Sequence, residues 1–261
     1  MVIQRIFLLF ALLIFHGFSY GLSLKRVDFL YTYEYLDPNN VYGNWHTLEA
    51  DTYFQAPFQL TPFMNIAFSN RTKEGKAVLY AIGAYKDWTD VLYTYSALSF
   101  GTNSVYFPKY RIDHEFNLKT GVQKNIVLSA GIAYARYWDV HKDLIFSVGL
   151  TIYQGYWVFT GKVFRNISNP GNVTSHSALI SVGYGEEKVS WLYLDIYYGK
   201  QAYLATYLST PEEINQNAFI STLNYRKWLT ASSGIIGVLG FMNLEDGYKK
   251  YRFSAGVFKE F

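Results

Sequence analysis

The chain has 261 residues, a formal net charge of +3 at pH 7 and no cysteine. So small a charge does not predict binding to nucleic acid, and the lack of cysteine excludes disulfides and thiol chemistry. Aromatic residues make up 20% of the chain. This content suits a membrane–water boundary or a carbohydrate-binding surface, because Tyr and Trp combine an apolar ring with a polar group.

The first residues have the pattern of an export signal. Arg5 precedes the apolar run 6–15, and the small residues Ser19 and Gly21 are spaced for cleavage. We therefore predict a signal peptide over residues 1–21 and one barrel domain over residues 22–261. Past the signal, no run reaches the ~17 apolar residues that a spanning helix requires. If the protein crosses a bilayer it must do so as a closed sheet, because only helices and closed barrels satisfy every backbone group in hydrocarbon.

Alternation of apolar with polar or small residues, which is the period of a β-strand, recurs along the rest of the chain. We predict an all-β fold, a transmembrane antiparallel up-and-down barrel of about fourteen strands, with twelve as the alternative count. The predicted strands lie near residues 24–36, 44–56, 60–70, 76–86, 90–101, 109–119, 126–138, 142–154, 155–167, 176–186, 189–199, 216–229, 234–244 and 249–261. An even number returns the C-terminus to the periplasmic side, from which the chain entered.

The clearest alternation covers residues 109–119, where charged side chains occupy one face and apolar side chains the other. In a barrel with a wet interior, the charged face would point into the lumen. We predict a lumenal charge ladder from this strand and the last one, formed by Lys109, Arg111, Asp113, Glu115, Arg252 and Glu260. His114 falls on the apolar side, where it needs an interfacial position or a partner.

The connections alternate in length, as they do in outer-membrane barrels. Longer polar loops are predicted at residues 37–40, 70–76, 101–108, 168–175 and 200–215. Tighter turns are predicted at residues 87–90, 120–125, 185–188 and 231–234.

The last strand ends on an aromatic residue, Phe261. An exported chain of this kind resembles the integral barrels of the Gram-negative outer membrane, whose assembly machinery recognises such a C-terminal strand. That signal prefers an aromatic residue two positions before the end, where this chain has Lys259. We expect Phe261 to act as an assembly signal, with the barrel assembly machinery and outer-membrane lipid as partners.

Four short motifs, in this order and spacing, resemble the YaiO family of outer-membrane β-barrel proteins. They are Tyr31-Thr32-Tyr33-Glu34-Tyr35 followed by Trp45-His46; Tyr106-Phe107-Pro108-Lys109-Tyr110-Arg111; Gly155-Tyr156-Trp157; and Phe258-Lys259-Glu260-Phe261. The resemblance covers nearly the whole mature chain. It implies a barrel in the outer membrane and no defined activity.

Three clusters could carry chemistry, but each has a simpler explanation. Residues 174–177 place Ser beside His176, as a hydrolase would, yet no third group is evident to orient the imidazole. Asp139, His141 and Asp143 could ligate a metal but are expected in a solvated connection. Asp113 and Glu115 could act as an acid–base pair but are better explained as part of the ladder. We predict no catalytic, cofactor-binding or metal site.

The favoured hypothesis is a non-enzymatic outer-membrane barrel with a passage or surface-contact role, which could extend to polysaccharide export. The first alternative is an outer-membrane enzyme acting on lipid or lipopolysaccharide, which needs His176 or His114 near a Ser on the outer surface. The second is a secreted soluble β-sandwich that binds glycans, which predicts shorter strands with frequent turns.

Overall fold

The computed structural model describes residues 21–201 and 216–261. The predicted signal peptide lies outside these residues, apart from Gly21. Fourteen strands close into one antiparallel barrel, in which each strand pairs with its neighbours in the chain and the last strand pairs with the first. The predicted fold and the count of fourteen are confirmed, and the count of twelve is wrong.

The strands follow one another around the barrel in chain order. They are β1 (Ser23–Asp37), β2 (Asn44–Gln55), β3 (Leu60–Arg71), β4 (Gly75–Asp87), β5 (Leu92–Gly101), β6 (Tyr110–Thr120), β7 (Ile126–Arg136), β8 (Lys142–Gln154), β9 (Trp157–Asn169), β10 (Val173–Glu186), β11 (Ser190–Gln201), β12 (Gln216–Thr230), β13 (Ser233–Leu244) and β14 (Lys249–Glu260). One helical turn, α1 (Asn39–Tyr42), lies between β1 and β2. No helix in the described part of the chain is long and apolar enough to cross a membrane.

The strands are long for a globular sheet. The shortest, β5, has 10 residues, and β1 and β12 have 15. Strands of globular sheets usually have about 5–6 residues, whereas a tilted bilayer crossing takes about 9–11. The soluble β-sandwich is therefore wrong, because the structure is one closed sheet of membrane-crossing length.

The outer wall is apolar. Ile112, Phe116, Leu128 and Ile132 are each about half exposed, at 51%, 55%, 47% and 46% of their maximum. They alternate with inward residues and share the outer face with large apolar side chains from the other strands. A continuous apolar surface on this scale would not be stable in water and requires an apolar environment.

The two ends of the barrel have different connections. Both termini lie at one end, called the near end here, whose connections include the short turns 155–156 and 231–232. The opposite, far end carries α1 and the longest connection between described strands, 102–109. Between β11 and β12, most of the predicted loop 200–215 lies outside the described residues.

Two predicted far-end loops are wrong. The structure shortens the loop at 70–76 to residues 72–74, and the loop at 168–175 to residues 170–172. Strand pairing continues through these polar stretches, for example between Asn70 and Lys76 and between Ser168 and Val173. Ser168 is 1% exposed and donates a hydrogen bond to Asp143. At Ser168, a polar residue that faces the interior thus looked like a loop residue in the sequence.

Candidate functional site

The interior of the barrel is lined by charged side chains that meet across it. The Lys162 ammonium on β9 pairs with the Glu115 carboxylate on β6, and Arg226 Nη2 on β12 donates to Asp28 Oδ2 on β1 at 2.7 Å. In each case two other strands lie between the partners in the barrel wall. Such contacts require side chains that project into the lumen from a curved wall.

The β6 part of the predicted ladder lies in this lumen. Arg111 Nε and Nη2 donate to the Asp113 carboxylate at 2.9 and 2.6 Å, and Glu115 pairs with Lys162. Asp113 and Glu115 therefore each have a basic partner and do not form the acid pair of a glycosidase. Lys109 differs from the expectation, because it precedes β6 and its ammonium lies 5.2 Å from the ring centroid of Trp138 in the next far-end connection.

The β14 part of the predicted ladder is a separate group. Arg252 Nε donates to Glu34 Oε1 on β1 at 2.9 Å. Glu260, at the near end, pairs with Lys188 and accepts a hydrogen bond from Trp228 Nε1 at 3.3 Å. Five strands, β1 to β5, separate β14 from β6 on the shorter way around the barrel, so the six residues do not form one continuous ladder.

Several lumenal charges escaped the sequence analysis. Asp28 and Glu34 are both 6% exposed, and Lys250 Nζ lies 3.0 Å from Glu34 Oε1. The signal that could have found them is the alternation of Arg26, Asp28 and Glu34 with the aromatic residues of β1. It was weaker than in β6 because apolar residues interrupt the inward face of β1.

The far end of the lumen contains a buried cluster, called the mouth cluster here. Its members come from β1, β2, α1, β12, β13 and the connection before β14. They are Leu36, Tyr42, Trp45, Ala218, Met242, Leu244 and Tyr248. Each is at most 9% exposed, and α1 places Tyr42 with its ring centroid 4.9 Å from that of Tyr248.

Cations hold the mouth cluster to neighbouring strands. The Arg71 guanidinium lies between two rings, 3.7 Å from the Trp45 centroid and 3.8 Å from the Tyr106 centroid. The Lys250 ammonium lies 4.9 Å from the Trp45 ring. Tyr106 Oη donates to the carbonyl oxygens of Ser69 and Gly75 at 3.3 and 3.1 Å, which holds the 102–109 connection against this end. Trp45 is the centre of these contacts.

Two tyrosines of the far-end connections, Tyr248 and Tyr106, are neutral. Burial raises the pKa of the Tyr248 phenol above its ordinary value, against the opposing effect of Arg71. Burial also raises the pKa of Tyr106, which its hydrogen bond at Ser69 partly offsets. Both phenols therefore keep their protons at physiological pH, so neither adds a negative charge beside Arg71.

Towards the near end, the lumen is lined by aromatic rings. On one side Phe63 stacks on Tyr95 at 5.8 Å between centroids, and Tyr85 lies 5.1 Å from Tyr95. On the other side Trp191 stacks on Tyr193 at 5.6 Å.

A cavity of about 430 Å³ opens in this aromatic part of the lumen. We call it the lumen pocket. It is lined among others by Arg26, Asp28, Tyr53, Trp191, Tyr193 and Arg226. Aromatic faces beside paired charges can bind a polar, partly apolar solute such as a sugar.

The candidate Ser–His cluster at residues 174–177 does not form a catalytic pair. His176 is exposed on the outer wall, whereas Ser175 alternates to the interior and is 2% exposed. A strand places consecutive side chains on opposite faces, so Ser175 and Ser177 both point away from the imidazole.

His114 does have a serine partner on the outer wall. Its Nδ1 lies 2.8 Å from Ser96 Oγ on β5, and its ring lies 4.6 Å from that of Phe116. The residues paired with Ser96 and His114 on the flanking strands are Ala84 and Ile132, and neither can orient an imidazole. Two polar groups facing lipid thus satisfy each other, which explains a histidine on an apolar face.

The predicted solvated connection at residues 139–143 is partly buried. His141 Nδ1 lies 2.7 Å from Asp139 Oδ2, and His141 and Asp143 are 4% and 7% exposed. The expectation of a water-filled turn is wrong for these two residues, because Asp143 faces the lumen and contacts Ser168. Among the residues that the structure describes, no group of three His, Cys, Asp or Glu side chains could hold a metal ion.

A closed sheet with an apolar outer wall and a charged interior defines an integral β-barrel of the outer membrane. The model of one protein family, the YaiO membrane beta barrel domain, matches residues 24–204. The chain belongs to this family, and the predicted location in the outer membrane is confirmed. No match among curated proteins reaches significance.

Solved structures with a similar fold are outer-membrane barrels. A bacterial polysaccharide outer membrane secretin has a TM-score of 0.59 and 7% identity, over 91% of this chain and 98% of that one. An outer membrane channel from Pseudomonas putida F1 has a TM-score of 0.58 and 10% identity, over 92% and 96%. An anion-selective porin from Comamonas acidovorans has a TM-score of 0.52 and 11% identity, over 92% and 99%. At these identities the likeness concerns the fold alone.

The lengths of the connections assign the two ends of the barrel to two compartments. In outer-membrane barrels the short turns face the periplasm and the longer loops face outside. The near end, with both termini, is therefore the periplasmic end. The mouth cluster lies at the extracellular end.

Proposed function

We propose that the protein is a non-enzymatic passage barrel for small polar solutes, restricted at its extracellular end by the mouth cluster. The observation that carries this proposal is the contrast along the lumen. The periplasmic part has a pocket with aromatic and charged walls, whereas the extracellular part contains a cluster of buried side chains around Trp45. Solutes would enter from the periplasm and be held back at the mouth.

The lumenal charges support weak selectivity between ions. Arg26, Asp28 and Arg226 meet in one group, and Arg111 with Asp113 forms another, so both signs face the same space. A mixed lining attracts neither ion type strongly. Sugars are the more specific solute class of this proposal, because stacked Trp191 and Tyr193 offer ring faces to them. The polysaccharide secretin of similar fold is in keeping with that choice.

Planar-bilayer conductance of the refolded protein tests the proposal. The variant Trp45→Ala removes the ring that contacts Arg71, Lys250 and Tyr248, and we expect larger and more frequent conductance steps than in the wild type. The matched control is Trp157→Ala, since Trp157 is 45% exposed on the outer wall. Equal conductance in wild type and Trp45→Ala would show that the mouth cluster does not restrict passage.

A second candidate function is hydrolysis of membrane lipid, and it is favoured by the 2.8 Å contact between Ser96 and His114 on the outer wall. The serine would attack an acyl ester with the imidazole as base, although catalysis normally also needs a group that orients the base. Lipid profiles after overexpression of the wild type, Ser96→Ala and the outward control Ser221→Ala decide between the two. We expect three identical profiles. Fatty acid released only when Ser96 is present would make the protein an enzyme.

A further inference from the structure

The outer wall carries a groove that the lumenal proposal does not use. It lies across β8 to β11, near their extracellular ends, and has a volume of about 860 Å³. Outward side chains line it, including Val148, Val163 and Tyr198, which are 57%, 53% and 60% exposed. Ala178 pairs with Val163 on one side and with Tyr198 on the other, so a small side chain between two larger ones leaves a depression.

Three basic side chains stand at the extracellular edge of this groove. Arg165 pairs with His176 on the adjacent strand, and both are exposed. Lys200, also exposed, follows Gly199, the partner of Ser177, and therefore lies beside His176. All three line the groove. Three strands thus bring nitrogen donors together directly above an apolar depression.

Few of the carboxylates in the described part of the chain lie near these cations. Among the described side chains on the outward faces of β8 to β11, the one carboxylate is Glu186, at the periplasmic end of β10. At the β12 edge of the groove, the lining residue Asn217 pairs with Lys200 and donates a hydrogen bond to Glu245 in the connection before β14. The Glu245 carboxylate therefore lies on the side of Lys200 that faces β12, away from Arg165 and His176. Arg165 on β9 and His176 on β10 lie three and two strands from β12, and they have no acidic neighbour in their register pairs.

The groove has the chemistry of a site for an anionic amphiphile. Arg165 presents a planar donor fork that suits phosphate oxygens, and Lys200 adds a positive charge. Basic side chains at the membrane surface attract anionic lipid head groups. The apolar surface below, formed by Val163, Ala178 and Tyr198, suits an acyl chain. The head group would then lie at the extracellular edge and the acyl chain below it, which is the orientation of a lipid in the outer leaflet.

We propose that this groove binds one phosphorylated lipid of the outer leaflet. Its phosphate contacts Arg165, His176 and Lys200, and one acyl chain lies over Ala178 between Val163 and Tyr198. The site is independent of the lumenal passage, because its side chains point away from the lumen. If the lipid-binding proposal were disproved, the proposed passage function would still stand.

Native mass spectrometry of the refolded full chain in non-ionic detergent tests the proposal. The probes are a phosphorylated glycolipid with acyl chains, the same lipid without phosphate, and inorganic phosphate as a competitor. We expect one phosphorylated lipid per chain, no retention of the dephosphorylated lipid, and no displacement by millimolar phosphate. The double variant Arg165→Gln/Lys200→Gln should weaken binding about thirty-fold, from the loss of two charges near the surface.

Two further variants separate the groove from the general basic rim. Lys76→Gln/Lys249→Gln removes two exposed cations from the extracellular ends of β4 and β14, away from the groove, and should bind as the wild type does. Ala178→Trp fills the depression without removing charge and should also abolish binding. Heat-modifiable migration in a gel verifies that each variant is folded. The proposal would be overturned if both double variants lost binding equally, or if the protein retained the dephosphorylated lipid. It would also be overturned if phosphate displaced the lipid, or if folded Ala178→Trp still bound it.

Discussion

At the scale of single residues, Glu34 is a buried lumenal acid that lies between two cations. Its carboxylate is 6% exposed, and it lies within 3.0 Å of Lys250 Nζ and 2.9 Å of Arg252 Nε. A buried ion pair contributes little relative to an apolar pair of the same shape, but removal of one partner leaves the other charge uncompensated. Loss of Glu34 would leave two cations facing each other.

The first prediction concerns this carboxylate. Glu34→Gln keeps the shape and removes the charge, and it should lower the free energy of unfolding by about 3 kcal/mol. Guanidinium unfolding of the refolded protein measures the change. Asp37→Asn, on the exposed end of the same strand, is the control and should stay close to the wild type. Similar unfolding midpoints for Glu34→Gln and Asp37→Asn would mean that water in the lumen compensates the charges of Lys250 and Arg252.

At the scale of secondary-structure elements, β14 closes the barrel. It pairs with β13 on one side and with β1 on the other, and the backbone N–H of Phe261 donates to the Lys25 carbonyl oxygen at 3.0 Å. The Phe261 side chain is 70% exposed at the periplasmic end of the outer wall. It is therefore accessible for recognition before closure and adds little packing afterwards.

The second prediction separates recognition from packing. Phe261→Ala should lower the amount of protein that reaches the outer membrane while leaving the unfolding midpoint of refolded protein unchanged. Quantitative blotting of membrane fractions measures the first effect. Phe253→Ala is the control, since Phe253 is an outward Phe of the same strand and is 52% exposed. The role of Phe261 in assembly is disproved if both variants reach the membrane equally.

At the scale of the whole barrel, the alternation of side chains along each strand decides which residues face lipid and which face the lumen. Leu128 is 47% exposed on the outer wall, whereas the next residue, Ser129, faces the lumen with its Oγ near Gly149. Because the chain has no cysteine, a single introduced thiol reports one position.

The third prediction uses that pair. In liposomes, a spin label on Leu128→Cys should be broadened by oxygen, which concentrates in lipid, and not by a water-soluble relaxation agent. The label on Ser129→Cys should show the opposite preference. The two adjacent positions control for each other, and equal accessibility of both labels to the aqueous agent would contradict the barrel orientation.

Local patterns predicted most of the fold. The period of two, clearest along β6 and β7, identified the strands and the two faces of each strand, and its recurrence along the chain gave the number of strands. It did so because alternation is a property of the extended backbone itself. It also placed Arg111, Asp113 and Glu115 on one face. Where polar residues faced the interior, as at Ser168, polarity was mistaken for a loop, since sequence alone does not distinguish water in a lumen from water outside.

What the chain determined by itself is therefore the barrel and the two faces of its wall. The tertiary structure decided the rest: that Glu115 meets Lys162, that Trp45 lies beside Arg71 and Tyr248, and that Arg165, His176 and Lys200 share one groove. These partners are far apart in the chain or come from separate strands. Trp45 meets Arg71, and Arg165 meets His176 and Lys200, through the register of adjacent strands. Glu115 meets Lys162, and Trp45 meets Tyr248, through the curvature of the closed sheet.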